Sequence, residues 1–338
     1  MEGSDGKEFS AHLLSIVVEQ QYGTEDMPRT LFKAGAVPPL VALVASGNDG
    51  GQIYAAATLA SIAFNHPQHG DAIVAAAGVM PLVVLLKQGS QKAQRGAAAA
   101  LAAISDNRDH QKPIIKAGAL VPLVRLMRVG IADAQVHAAF ALANLCTGNL
   151  EAQNSVAAGG AIPMLLGMLG AGSAQMAAAK GLARLCLENR DIQDAIALEG
   201  CIPPLLVLLN GVNIPSQVEA ASALANLARD NEQTQQLIFK AGGIGPLLAM
   251  LSTRSEKAQA RGAEALARLA AFNKENQDAM ARMGAIAPVV GLLGSDNALD
   301  VQAMAALALT GTRERGGGSC MLTFLIVPCA DLMCMRFA

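Results

Sequence analysis

Apolar and polar residues follow one another along this chain in blocks that return about every 42 positions. A proline near the start of an apolar run recurs as Pro39, Pro81, Pro122, Pro204, Pro246 and Pro288, with Met164 in the same place once; the steps are 42, 41, 42, 40, 42 and 42. A glutamine recurs as Gln52, Gln94, Gln135, Gln175, Gln217, Gln259 and Gln302. Seven residues after each comes a leucine: Leu59, Leu101, Leu142, Leu182, Leu224, Leu266 and Leu309. Asparagines recur at 65, 107, 149, 189, 231 and 273. Landmarks that hold one register at this period describe a repeat array rather than a closed globular core.

Each unit reads as three helices. The recurring Asn is an N-cap for a short first helix, because its side-chain oxygen can accept from an orphan backbone N–H. That helix is expected to end at a left-handed glycine: Gly35, Gly78, Gly118, Gly160, Gly200, Gly243 or Gly284. The second helix opens around the proline, which a first turn tolerates, and its body is apolar, as in Leu205-Leu206-Val207-Leu208-Leu209. After a polar turn the third helix starts near the recurring Gln and runs about 15 residues. That Gln is expected to serve hydrogen bonding between repeats. The predicted organisation is a partial repeat over 1–22, seven repeats over 23–312 and a non-repeat apolar tail over 313–338.

The runs Ala34-Gly35-Ala36-Val37-Pro38-Pro39-Leu40-Val41 and Ala220-Ala221-Ser222-Ala223-Leu224-Ala225-Asn226-Leu227 resemble the armadillo repeat family. The resemblance implies an all-α fold, an armadillo-type α-solenoid wound as a right-handed superhelix of three-helix repeats. It also implies a non-enzymatic protein–protein interaction scaffold. In that family the third helices line the concave side and hold an extended peptide segment. An Asn two residues after the recurring Leu clamps the peptide backbone, and import adaptors add a Trp one turn earlier.

Carried onto this chain, the Asn place holds Ser61, Ala103, Asn144, Arg184, Asn226, Arg268 and Gly311. The Trp place holds Ala57, Ala99, Phe140, Lys180, Ser222, Glu264 and Leu307. Tyr54, Gly96, His137, Ala177, Glu219, Arg261 and Met304 share the face by helical spacing. The candidate groove is therefore His137, Phe140, Asn144, Lys180, Arg184, Ser222, Asn226, Arg261 and Arg268. Asn144 and Asn226 are expected to be exposed backbone clamps whose loss leaves folding nearly unchanged. Lys180 and Arg184 have no acidic residue at matching places in their own repeat, so the partner segment is expected to be acidic or phosphorylated. Its apolar side chains would use the space left by Gly96, Ala99 and Ala103. Alternatives are a substrate-recruiting component of a ubiquitin-ligase complex, a degenerate nuclear-import adaptor or a vacuolar tether.

Composition narrows the chemistry. Hydrophobic residues make up 52% and aromatics 3%, with no Trp, which suits closely spaced alanine-rich helices. A net charge of −2 argues against bulk attraction to nucleic acid or an anionic membrane. The expected partner is protein, with no nucleic acid, membrane, small-molecule substrate or cofactor. Six cysteines without a CxxC pair fit reduced thiols in a cytoplasmic or nuclear protein. Cys146 and Cys186 occupy a position that holds Ala or Ser in other repeats, so they read as packing, not nucleophiles. His66 and His69 lack further ligands at metal spacing. Gly170-Ala171-Gly172-Ser173 lacks a following Gly-Lys-Ser/Thr and reads as a turn. In the tail, Pro328 and Asp331 interrupt a short apolar run, which argues against a membrane anchor; its mismatch with the repeat points to an artefact of splicing or to a fragment.

Overall fold

The computed structural model describes residues 26–310 apart from 65, 295 and 296. The expectations for residues 8–22, Asn65, Gly311 and the tail beyond 312 lie outside the described residues. Among the described residues there are 21 α-helices and no strand. They fall into successive triplets. The first is α1 (Asp26–Lys33), α2 (Val37–Ser46) and α3 (Asp49–Ala63), and the second α4 (Pro67–Ala75), α5 (Val79–Gln88) and α6 (Gln91–Ile104). Next come α7 (Arg108–Lys116), α8 (Leu120–Val129) and α9 (Ala132–Leu145), then α10 (Leu150–Ala158), α11 (Ala161–Leu169) and α12 (Gln175–Leu185). The fifth is α13 (Arg190–Leu198), α14 (Ile202–Leu209) and α15 (Ile214–Ala228). The sixth is α16 (Glu232–Lys240), α17 (Ile244–Leu251) and α18 (Glu256–Ala270), and the seventh α19 (Lys274–Arg282), α20 (Ile286–Gly291) and α21 (Leu299–Thr310). The Gly170–Ser173 turn carries a short 3-10 helix, Gly172–Ala174.

The chain divides into two compact units, residues 1–165 and 166–338. In the first, α3, α6 and α9 pack in sequence; in the second, α12, α15, α18 and α21 do the same. Alanine makes this possible. Ala55, Ala97, Ala138, Ala178, Ala220 and Ala263 are fully buried along these helices, so their backbones approach closely. Gly96 marks a tight point in the first unit: a methyl group there would lie 3.0 Å from Ala56 Cβ and 3.2 Å from Ala57 N. The recurring leucines Leu59, Leu101, Leu182 and Leu224 are fully buried between helices.

The expected caps are present. Asn107, Asn149, Asn189, Asn231 and Asn273 each accept from a backbone N–H in the first turn of the helix that follows. The left-handed residue after the first helix is glycine at Gly35, Gly118, Gly160, Gly200 and Gly284. Two positions differ from expectation by one residue. Ala77 rather than Gly78 takes φ 57°, and Gly242 rather than Gly243 takes φ 81°. A methyl group on Gly78 would meet Ile73 Cγ2 at 2.8 Å, and one on Gly243 would meet Ile238 Cγ2 at 2.6 Å, so these glycines answer a close approach instead. This corner bends α5 by 85° from α4 and α14 by 84° from α13. Among the described residues no single helix is long and apolar enough to cross a membrane.

The recurring Gln has a different role from the expected one. Gln52 donates to Val44 O at 3.2 Å, Gln135 to Met127 O at 3.0 Å and Gln217 to Leu209 O at 3.0 Å. Gln259 reaches Thr253 O at 2.8 Å and Gln302 Gly294 O at 2.9 Å. Each bond stays inside one repeat and satisfies carbonyls left open where the second helix ends. Bonding between repeats falls to another carboxamide, on the first helix. Gln193 donates to Asn226 O at 2.9 Å, and Gln235 to Arg268 O at 2.9 Å.

Candidate functional site

The third helices present one face to solvent in each unit. On α9 this face carries His137 and Phe140, both half-buried, and Asn144, which is 8% exposed. On α12 it carries half-buried Lys180 and Arg184; on α15, Glu219, Ser222 and Asn226; on α18, exposed Arg261 with half-buried Glu264 and Arg268. The predicted residues thus share the expected helical face, three in the first unit and six in the second.

The asparagines are not the freely exposed clamps anticipated from sequence. Asn144 Nδ2 donates to Ala102 O at 3.1 Å and to Ser105 Oγ at 3.3 Å. Asn226 Nδ2 donates to Ala183 O at 2.8 Å. The two carbonyls, Ala102 O and Ala183 O, belong to the last turn of the preceding third helix, where carbonyls have no intrahelical backbone donor. The side chains therefore join neighbouring repeats. Each Oδ1 has no partner among the described residues and remains an acceptor.

The space expected beside Ala99 and Ala103 is smaller than residue sizes suggest, because Gly96 is buried against Ala56 and Ala57. Ala177, its counterpart on α12, is likewise fully buried. Ser222 Oγ donates to Val218 O at 2.9 Å, within its own helix.

Charges on the second unit's face sort into engaged and available groups. Arg261 Nη1 meets Glu264 Oε2 at 2.5 Å, so that carboxylate is held one turn away from Arg268. The Arg268 guanidinium has no partner among the described residues. Lys180 and Arg184, expected to stand unneutralised, are both engaged in interactions within the protein. The face nonetheless holds four cationic side chains against the carboxylates of Glu219 and Glu264.

In the first unit the face has its own electrostatics. Arg95 Nη1 lies 3.6 Å from Asp133 Oδ2. Burial holds the His137 imidazole below its ordinary pKa, Arg95 lowers it further, and Asp133 opposes them in part. The ring is neutral at pH 7 and able both to donate and to accept. Sequence spacing missed Arg95 and Asp133, which sit just outside the i, i+3, i+7 set.

The cysteines among the described residues are buried. Burial pushes the Cys146 and Cys201 thiols up to about 12 and drives Cys186 in the same direction. A thiol so shifted carries almost no thiolate at neutral pH. The His69 ring is occupied: Nδ1 is 2.7 Å from Ile62 O, and the ring stacks on Phe32 at 3.9 Å. Among the described residues no group of three or more His, Cys, Asp or Glu is placed to hold a metal ion.

Comparison with known proteins places this geometry. The family model described as Armadillo/beta-catenin-like repeat matches residues 24–64 and 189–229. An engineered protein whose crystal structure comes from the Northeast Structural Genomics Consortium is 32% identical, covering 91% of this chain and 74% of its own, with a TM-score of 0.73. A second engineered protein from that consortium is 33% identical over 69% of this chain and 98% of its own, with a TM-score of 0.62. A designed armadillo repeat protein is 26% identical over 82% of this chain and 100% of its own, with a TM-score of 0.48. A comparison with curated proteins finds no match.

Proposed function

The chain belongs to the armadillo repeat family, and on that premise we propose that it is a non-enzymatic scaffold that binds an extended, acidic protein segment along its third-helix face. The observation that carries the acidic preference is the pairing on α18. Glu264 is taken by Arg261, which leaves Arg268 as a half-buried cation with no partner among the described residues. Hydrogen bonds from a guanidinium to a carboxylate or phosphate are stronger than neutral ones and bidentate in favourable geometry. The Asn226 carboxamide supports an extended ligand in a narrower way than a full clamp. Its nitrogen is committed to Ala183 O, so its oxygen is offered to a backbone N–H.

The test is affinity against salt for a labelled acidic peptide and its lysine-substituted counterpart, using wild type and Arg268→Ala. The acidic peptide should bind more tightly, weaken as salt rises, and lose part of that slope in the variant. If the lysine-substituted peptide binds better and Arg268→Ala changes nothing, the acidic reading fails and an import-type role gains ground.

A further inference from the structure

A second surface, formed by the second helices of the first unit, is unused by the third-helix reading. Residues 79–130 hold eight lysine and arginine side chains against two carboxylates, Asp106 and Asp109, a formal +6 in a chain whose total is −2. The outward positions of α5 are Met80, Val84, Lys87 and Gln88, all exposed. Those of α8 are Val121, Arg125, Arg128 and Val129, also exposed. The spacing i, i+4, i+7, i+8 puts each set on one helix face, and α5 and α8 pack side by side.

Two features make this more than a solvated basic face. First, α2 and α5 leave an open cleft of about 430 Å³ walled by Val44, Ala45, Met80, Pro81 and Val84. Met80 is 55% and Val121 73% exposed, so both α5 and α8 present apolar side chains to solvent. Second, Lys87, Lys116 and Arg125 make no ion pair or side-chain hydrogen bond among the described residues. Lys87 Nζ reaches the turn that follows α7, 3.6 Å from where a Gly118 methyl would lie. Arg128 donates to Gly159 O at 2.9 Å, a neutral acceptor that leaves its charge uncompensated.

We propose that this face docks an amphipathic helix of a partner protein, with apolar side chains toward the cleft and Asp or Glu along its flank. Apolar anchors fill the space beside Met80 and Val84, while the flanking carboxylates meet Lys87 and Arg125. A helix suits the surface because each face passes from apolar to cationic within about two turns, Met80 and Val84 to Lys87 on α5 and Val121 to Arg125 and Arg128 on α8, the spacing on which an amphipathic partner helix sets its own apolar and acidic residues. A bilayer suits it less: no aromatic residue stands among the outward positions of α5 and α8, whereas membrane-surface helices use Trp, Phe and Leu. The proposal is independent of the third-helix groove.

The experiment uses the intact protein and a fluorescein-labelled peptide with leucines along one helical face and glutamates along the other, read by anisotropy. The peptide should bind, and a version with lysines for glutamates should not. Lys87→Glu combined with Arg125→Glu should weaken binding about tenfold or more, the scale of lost close charge pairs. Met80→Glu should do the same through the cleft. All three side chains are exposed, so far-ultraviolet circular dichroism should match wild type. Arg268→Glu should leave this binding unchanged. The proposal is overturned if neither set of variants weakens binding, or if the lysine version binds equally. It also fails if Arg268→Glu abolishes binding, or if the protein ignores the peptide and sediments with vesicles of phosphatidylcholine and phosphatidylserine.

Discussion

Asn273 donates through Nδ2 to Gln235 Oε1 at 3.1 Å, as Asn231 does to Gln193 Oε1 one repeat earlier, also at 3.1 Å. Each asparagine accepts with its Oδ1 from the first turn of its own helix, so one carboxamide caps a repeat and fastens it to the one before. Gln235 completes the link by donating to Ala228 O, Arg268 O and Ala271 O. The carboxamides of Gln193, Asn231, Gln235 and Asn273 are all buried, which makes the loss of one partner costly to the others.

Replacing Gln235 with Leu removes a donor from carbonyls of two repeats and strands Asn273 Nδ2. We expect destabilisation of about 2–4 kcal/mol, one or two unmet buried polar groups. Urea unfolding of Gln235→Leu, Asn273→Ala and the double variant measures it. The double variant should be less destabilised than the two singles summed, with a coupling of at least about 0.5 kcal/mol. Strict additivity would show that the carboxamides do not act as a pair.

Asn226→Ala and Asn144→Ala should each lower stability by about 1 kcal/mol, because each removes a bond to the end of the neighbouring third helix. Thermal melts read the loss directly. If both variants melt with wild type while peptide affinity falls, the side chains are clamps only and the bonds to Ala183 O and Ala102 O contribute nothing.

The helix count, the corners and the buried leucines were legible in the sequence because each rests on a local rule at a fixed period. A proline opens a helix, an asparagine caps one, and an apolar block hides its own face. The roles of the carboxamides were less legible. A Gln or Asn side chain reveals that it can donate and accept, but its partner in Gln193, Gln235 and Asn226 lies in another repeat, at a separation set by helix stacking. The recurring Gln at 52, 135 and 217, expected to bond between repeats, bonds within its own for that reason, while the first-helix Gln at 193, 235 and 277 keeps the same period without a sequence signal of its role. That the candidate groove residues of one helix share a face follows from helical spacing alone. Whether a face residue is free or engaged depends on the adjacent helix, which is how Gly96 proved to be filled space.

The cysteines give a prediction in alkaline solution. Burial raises the Cys146 and Cys201 thiols from the ordinary value of 9.0 to about 12. The unfolded chain then ionises first as pH rises, so the native state loses stability between about pH 9 and 12 and keeps it in full below. Native protein at pH 8 should react slowly with a thiol reagent at these positions and rapidly after addition of guanidinium. Fast labelling of Cys146 or Cys201 in the native protein would contradict their burial.

The last prediction concerns His137, which stands on the third-helix face of α9 near the Arg95–Asp133 pair. Its imidazole is held below the ordinary 6.5 first by burial, then by Arg95, with Asp133 acting the other way. Burial penalises the charged ring, and a nearby guanidinium repels it. The folded protein therefore takes up this proton at lower pH than the unfolded chain. The contribution to stability is complete above the unfolded value and declines as pH falls from 6.5 through the folded midpoint. A partner carboxylate seated beside the ring would favour the imidazolium and raise the midpoint. Proton NMR of the ring should give a midpoint below 6.5 in wild type. Arg95→Gln should move it up and Asp133→Asn should move it further down. These opposite shifts separate the two neighbours from burial, which both variants leave in place. A midpoint that moves in the same direction in both variants would mean that the ring responds to a change in packing and that the charges around it play no part.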